Sequence, residues 1–179
     1  ASSPVGRTRT APAAGAMPAR LRFAFASCQQ YEQGYFCAYR HMAEEDLDLV
    51  LFLGDYIYES SWGRDHVRAH WTAEPRTLDD YRVRHAQYRG DVDLKRMHAA
   101  VPWLVTWDDH EVDNDYAGDR SEDLDPAFVA RRAAAYKAWF EHMPIRPAAR
   151  PDGAAMRLHE RYRFGRLAEF FMLDNRQYR

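Results

Sequence analysis

The most apolar stretch of the chain, Leu47-Asp48-Leu49-Val50-Leu51-Phe52-Leu53, is broken only by Asp48 and stopped by Gly54-Asp55. A short run of this kind, bounded by a turn signal, predicts a strand covered on both faces in a parallel sheet. Leu21 to Ala26, apolar at most positions and ending at Ser27-Cys28, predicts an earlier strand. Pro102 to Trp107, ending at Asp108-Asp109-His110-Glu111, predicts a third. Between the first two, Phe36, Tyr39, Met42 and Ala43 recur at helical spacing and predict a helix over Tyr35 to Glu45. Thr77 before Leu78-Asp79-Asp80-Tyr81 reads as an N-cap and acidic first turn, opening a helix of about a dozen residues. Asp91 to Ala100 predicts a shorter helix, and Pro126 marks the start of another that continues through Phe128 to His142. Met156 to Phe164 and Leu167 to Leu173 predict two strands joined by a turn at Gly165.

The connecting segments have no such period. Ser60 to Thr77, with Trp62, His66, His70 and Trp71, reads as a long surface loop. Residues 1–20, rich in proline, glycine and small side chains, read as an extended linker. The alternation of strand and helix predicts an α/β fold of βαβ units, with helices on both faces of a mostly parallel sheet.

Composition narrows the function without naming it. The 179 residues, 46% hydrophobic and 14% aromatic, are enough to build the core of one ordinary domain. The 25 Lys and Arg against 27 Asp and Glu leave a net charge of −2, which argues against a protein held on nucleic acid by a basic field. No apolar run approaches the roughly 20 residues of a membrane span. Two cysteines, Cys28 and Cys37, define no disulfide framework. Cys37 falls in a helical apolar pattern and is assigned to packing, while Cys28 is either a metal ligand or half of a bridge to Cys37.

Sites in open α/β sheets lie beyond the carboxyl ends of the strands. Here those ends carry Ser27-Cys28, Gly54-Asp55-Tyr56-Ile57-Tyr58-Glu59, and Asp108-Asp109-His110-Glu111-Val112-Asp113-Asn114-Asp115, with Asp174-Asn175-Arg176 after the last strand. Carboxylates gathered at one edge repel one another unless a cation sits among them. Taken singly, Asp55 is most simply a turn residue and Cys28 a small buried hydrophobe. Four polar strand ends together favour metal-assisted chemistry. Neither an EF-hand nor a zinc-protease motif fits: Ala117 and Leu124 stand where calcium needs oxygens, and Asn114 where the second zinc histidine would be.

Ser27-Cys28-Gln29, Gly54-Asp55-Tyr56-Ile57-Tyr58-Glu59, Trp107-Asp108-Asp109-His110-Glu111 with Asn114, and Leu173-Asp174 with Arg176-Gln177-Tyr178 resemble the PhoD family of alkaline phosphatases and phosphodiesterases, within the calcineurin-like metallophosphoesterases. The resemblance implies an enzyme that hydrolyses phosphate monoesters or diesters with a hydroxide held by Fe3+ and Ca2+. It implies Cys28, Asp55, Tyr58 and Asp109 as metal ligands and His110 as the catalytic contact to the phosphoryl group. Tyr56, Asn114 and Arg176 would bind substrate, although an Arg176 paired with Asp174 or Asp108 is an equal alternative. It further implies a secreted, periplasmic or cell-surface location. On this resemblance residues 1–20 are a linker or the tail of a preceding β-sandwich domain, and 21–179 the N-terminal part of a catalytic domain truncated at its C-terminus, because the superfamily's later Gly-Asp-x-His ligands have no counterpart here. The competing class is a non-catalytic α/β module whose acidic strand ends hold a structural calcium or bind a ligand.

Overall fold

A computed structural model describes residues 5–179; the first four residues of the expected linker lie outside the described residues. The elements run β1 (Phe23–Ala26), α1 (Ala38–Met42), β2 (Leu49–Phe52), α2 (Leu78–Gly90), α3 (Val92–Ala100), β3 (Trp103–Val105), α4 (Phe128–His142), a single 3-10 turn at Pro147–Ala149, β4 (Glu160–Phe164) and β5 (Ala168–Met172). Several are shorter than their sequence patterns. The first helix covers only Ala38–Met42, and β4 begins at Glu160 rather than Met156.

β1, β2 and β3 form a parallel sheet in that order, with Val50 aligned to Ala24 on one side and to Trp103 on the other. In-register neighbours share a face, so Ala24, Ala26, Val50, Phe52, Trp103 and Val105 point one way. That face packs into the main core against Tyr39 of α1, Tyr81 and Tyr88 of α2, Leu94 and Met97 of α3, and Tyr136 and Trp139 of α4. The other face, through Leu49, Leu51 and Leu104, packs on Tyr162, Phe170 and Met172 of a separate antiparallel hairpin formed by β4 and β5. The continuous apolar run of β2 is therefore buried on both faces, as its pattern predicts. Helices on both faces are not found among the described residues: the helices share one face and the hairpin covers the other.

α2 starts where its cap predicts. Thr77 Oγ1 accepts from Asp80 N at 3.3 Å, and Asp80 Oδ2 accepts from Thr77 N at 2.9 Å, satisfying two free helix-end donors reciprocally. The hairpin turns at Gly165, whose φ is +56°; an added Cβ would lie 2.5 Å from Ala16 O, the oxygen that accepts from Arg166 N at 2.8 Å. That contact lays the N-terminal segment against the hairpin, and Arg7 N to Ala99 O at 2.8 Å lays it against α3. No helix among the described residues is long and apolar enough to cross a membrane.

Candidate metal centre

The three parallel strands end side by side, and the pairing of β1 with β2 continues one step past the strands. Cys28 N donates to Gly54 O and Gln29 N to Asp55 O, both at 3.1 Å. At this step Cys28 and Asp55 take left-handed φ values of 57° and 58°. Asp tolerates that region and Cys does so rarely, so the ladder holds Cys28 against a local cost of about 1–2 kcal/mol. Gly54 is required for a second reason: at φ +113° an added Cβ would lie 2.7 Å from both Asp108 Cβ and Asp108 N. This close approach brings the loop after β2 onto the loop after β3.

The result is a cluster in which Asp55, Asp109 and His110 each offer a ligand atom within 4.8 Å of the others. Asp55 Oδ2 accepts from the Tyr58 hydroxyl at 3.1 Å, while Asp55 Oδ1 is buried with no partner. The Cys28 thiol lies against Ser27, Asp55 and Tyr58; burial pushes its pKa up, and the Asp55 charge adds to this. Burial likewise raises Asp55, and the charges of Asp109 and Asp108 oppose its ionisation further, although His110 and Cys28 pull the other way. A carboxylate whose ionisation is resisted and whose buried oxygen lacks a donor is matched to a cation. Cys28, Asp55, Tyr58, Asp109 and His110 are therefore brought together as the sequence motifs suggest.

His110 stacks on Tyr58, with ring centroids 4.2 Å apart, and its Nδ1 lies 2.9 Å from Glu59 Oε2. Burial alone would depress the imidazole, but the Glu59 hydrogen bond and the charges of Glu59, Asp109 and Asp55 outweigh it and raise its pKa to about 9. With Nδ1 engaged, Nε2 is the ring nitrogen left for other partners.

The three residues expected to bind substrate divide differently. Tyr56 is fully buried, its ring packed against Phe52 and Trp139 and its hydroxyl 2.8 Å from His98 Nε2. It is a core residue, because the left-handed turn at Asp55 sends Tyr56 inward and Tyr58 to the cluster. Arg176 is also buried: Nε donates to Asp108 Oδ1 at 2.5 Å, Nη2 lies 3.2 Å from Asp109 Oδ1, and Nη1 lies 3.7 Å from Asp115 Oδ1. Of the two readings of this residue, the structure favours pairing with carboxylates, Asp108 first among them. Asn114 donates to Glu122 Oε2 at 2.8 Å. Cys37 is exposed at the start of α1 rather than packed, and both cysteines are free.

The motifs assign no role to Glu59 or Glu111, both buried, and the structure supplies one for each. Glu59 orients His110. Glu111 accepts from Tyr56 N and, at 2.8 Å, from Asp108 N, tying the β2 loop to the β3 loop; burial above all lifts its pKa to about 8. From the helix side, the Tyr88 hydroxyl accepts from Tyr31 N at 3.2 Å and Tyr58 N at 3.1 Å, joining the loops after β1 and β2. Arg84, 1% exposed, donates to Glu59 O at 2.8 Å and to Thr72 O and Ala73 O at 3.0 Å, pinning the long loop to α2. Nothing in a linear pattern distinguishes a glutamate that will be buried at a strand end from one that will be solvated there.

Residues 23–179 match the PhoD-like phosphatase family. The chain belongs to that family. It is 56% identical over 187 aligned residues to alkaline phosphatase D of Bacillus subtilis (strain 168), a match covering 99% of this chain and 32% of that protein. The solved structure described as "Structure of PhoD" superposes with a TM-score of 0.95 at 56% identity, across 99% of this chain and 35% of that one. This PhoD-like chain thus spans about a third of the length of the relatives it matches. Within that third, the left-handed strand ends at Cys28 and Asp55, with Gly54 between the loops, are the local features that assemble the cluster.

Proposed function

We propose that the chain carries residues of a metal centre that hydrolyses phosphate monoesters or diesters, with Cys28, Asp55, Tyr58 and Asp109 as ligands and His110 facing the phosphoryl group. The observation that carries this reading is the convergence of Asp55, Asp109 and His110 within 4.8 Å around a buried carboxylate oxygen that has no donor. The donor set fits the pair Fe3+ and Ca2+: thiolate and phenolate suit a ferric ion, carboxylate oxygens a hard divalent one. Such cations supply Lewis-acid polarisation of the phosphoryl oxygens and acidify a water at neutral pH. The chain's own residues do the rest. Asp55, whose buried Oδ1 has no donor, would be one of the carboxylates that hold the cations. Tyr58 would serve as a phenolate ligand, and His110 would donate from Nε2 where negative charge gathers on the phosphoryl group. Arg176 holds Asp108 and Asp109 in place. The family resemblance also carries a location outside the cytoplasm.

The test is made on the full-length protein. Prolonged chelation is expected to abolish hydrolysis of p-nitrophenyl phosphate and its diester together with a visible phenolate-to-iron or thiolate-to-iron absorption band, and iron with calcium to restore both. Undiminished turnover in protein stripped of metal by elemental analysis would overturn the reading.

Glu59 gives a second test. Glu59→Gln keeps the size of the side chain but removes the charge that holds His110 protonated. Losing that hydrogen bond and charge moves the imidazole pKa down, toward its ordinary value near 6.5. Because His110 acts as a donor, the alkaline limb of the kcat/KM profile is expected to shift to lower pH, with a loss of roughly 10–100-fold at the optimum, the range typical of residues that orient a ligand or acid. An unchanged pH profile would remove Glu59 from this role.

A further inference from the structure

One exposed aromatic side chain stands at the mouth of the cluster. Trp62, in the loop between β2 and α2, is 50% exposed, yet its indole lies near-parallel to His110, with centroids 6.4 Å apart and planes at 22°, and 6.1 Å from Tyr58. Tyr58, His110 and Trp62 thus form one aromatic wall that runs from Asp55 to solvent. The more exposed Trp71 of the same loop has no aromatic partner among the described residues.

Trp62 is also held in place. Its carbonyl oxygen accepts from Gln33 Nε2 at 3.2 Å and lies 3.0 Å from His66 Nε2. The chain turns immediately at Gly63, φ +95°, where an added Cβ would come within 2.9 Å of Gln33 Nε2. A half-exposed indole with a fixed backbone is a preorganised apolar face, the kind that stacks flat unsaturated rings at little entropic cost.

From this we infer that Trp62 is a specificity-determining platform that stacks the alcohol portion of the ester, selecting phosphate esters whose leaving group carries a planar ring, aryl or nucleobase, over simple alkyl esters. The inference rests on the phosphoesterase reading above. A phosphoryl group seated at Asp55, Asp109 and His110 would lie beside this aromatic wall, because His110 belongs to both the cluster and the wall. Trp62 is the half-exposed end of that wall and offers its indole surface to the alcohol.

The experiment compares phenyl phosphate with ethyl phosphate on the full-length, metal-loaded protein and its Trp62→Ala and Trp62→Phe variants. In Trp62→Ala the ratio of kcat/KM for phenyl over ethyl ester is expected to fall about five- to tenfold, as suits one lost ring stack, with Trp62→Phe retaining most of the preference. Calorimetric binding of phenylphosphonate against methylphosphonate, which involves no turnover, is expected to lose the same preference in Trp62→Ala. Equal losses for both members of each pair, or no change in the ratio, would overturn the platform. If the parent protein hydrolyses neither ester, the phosphoesterase reading fails on its own, while the phosphonate pair still decides Trp62: a phenyl preference lost in Trp62→Ala supports the platform, and its persistence refutes it.

Discussion

Asp55→Asn in the full-length protein is expected to remove bound metal and to lower kcat by about a thousandfold or more, the scale of losing a group that acts directly on transition-state charge. The alternative role for an Asp after a strand is a turn cap, whose loss costs about 1 kcal/mol and spares turnover. The structure weighs against that role: among the described residues the side chain of Asp55 accepts from the Tyr58 hydroxyl and from no backbone N–H, and its second oxygen is buried and unpaired. An amide keeps the Tyr58 contact and removes a charge that Asp109 and Asp108 oppose. The metal-free variant should therefore be as stable as the metal-free parent, or more so. Metal content, kcat and thermal unfolding with and without chelator check the three parts together. Near-normal turnover would reject Asp55 as a ligand, and a marked loss of stability without metal would favour the cap.

Arg176→Lys separates the two roles open to this arginine. A guanidinium reaches Asp108, Asp109 and Asp115 at once through three nitrogens, a geometry that a single ammonium does not reproduce. Breaking such a pair leaves Asp109, 5% exposed, with the Asp115 N–H as its remaining hydrogen-bond donor and one guanidinium contact fewer in the metal-free protein. Asp108 keeps 30% of its side-chain surface in water, so the expected cost is about 2–3 kcal/mol rather than the larger figure for a fully buried pair. The melting temperature of the metal-free protein should drop by several degrees, and metal should recover most of the loss by neutralising Asp109 in place of the guanidinium. Inhibition by inorganic phosphate should be unchanged. Weakened phosphate inhibition at an unaltered melting temperature would instead assign Arg176 to the substrate.

The features legible in the sequence are those that local chemistry fixes. The apolar run of β2 announces a strand covered on both faces, because a half-solvated strand would alternate. Thr77 and Asp80 announce the start of α2, because each satisfies the other's backbone donor. Gly54-Asp55, Ser27-Cys28 and Asp109-His110 mark the site, because polar residues closing parallel strands must meet at one edge. Long-range packing decided what remained. Met156 to Leu158 reads as strand, yet the segment takes no ladder, and Met156 N donates instead to Gln177 Oε1 at 2.9 Å. The hairpin takes one sheet face and the helices the other, a division set by which surfaces meet and absent from any single element's period. Tyr56 and Tyr58 are alike in type and two positions apart, but one backbone residue at φ 58° between β2 and both tyrosines sends the first to His98 in the core and the second to Asp55 at the cluster. Glu59, Glu111 and Arg176 acquire their partners only when three loops, far apart in sequence, close on one another, since the burial that makes each of them consequential is a property of the assembled edge and of no local stretch of chain.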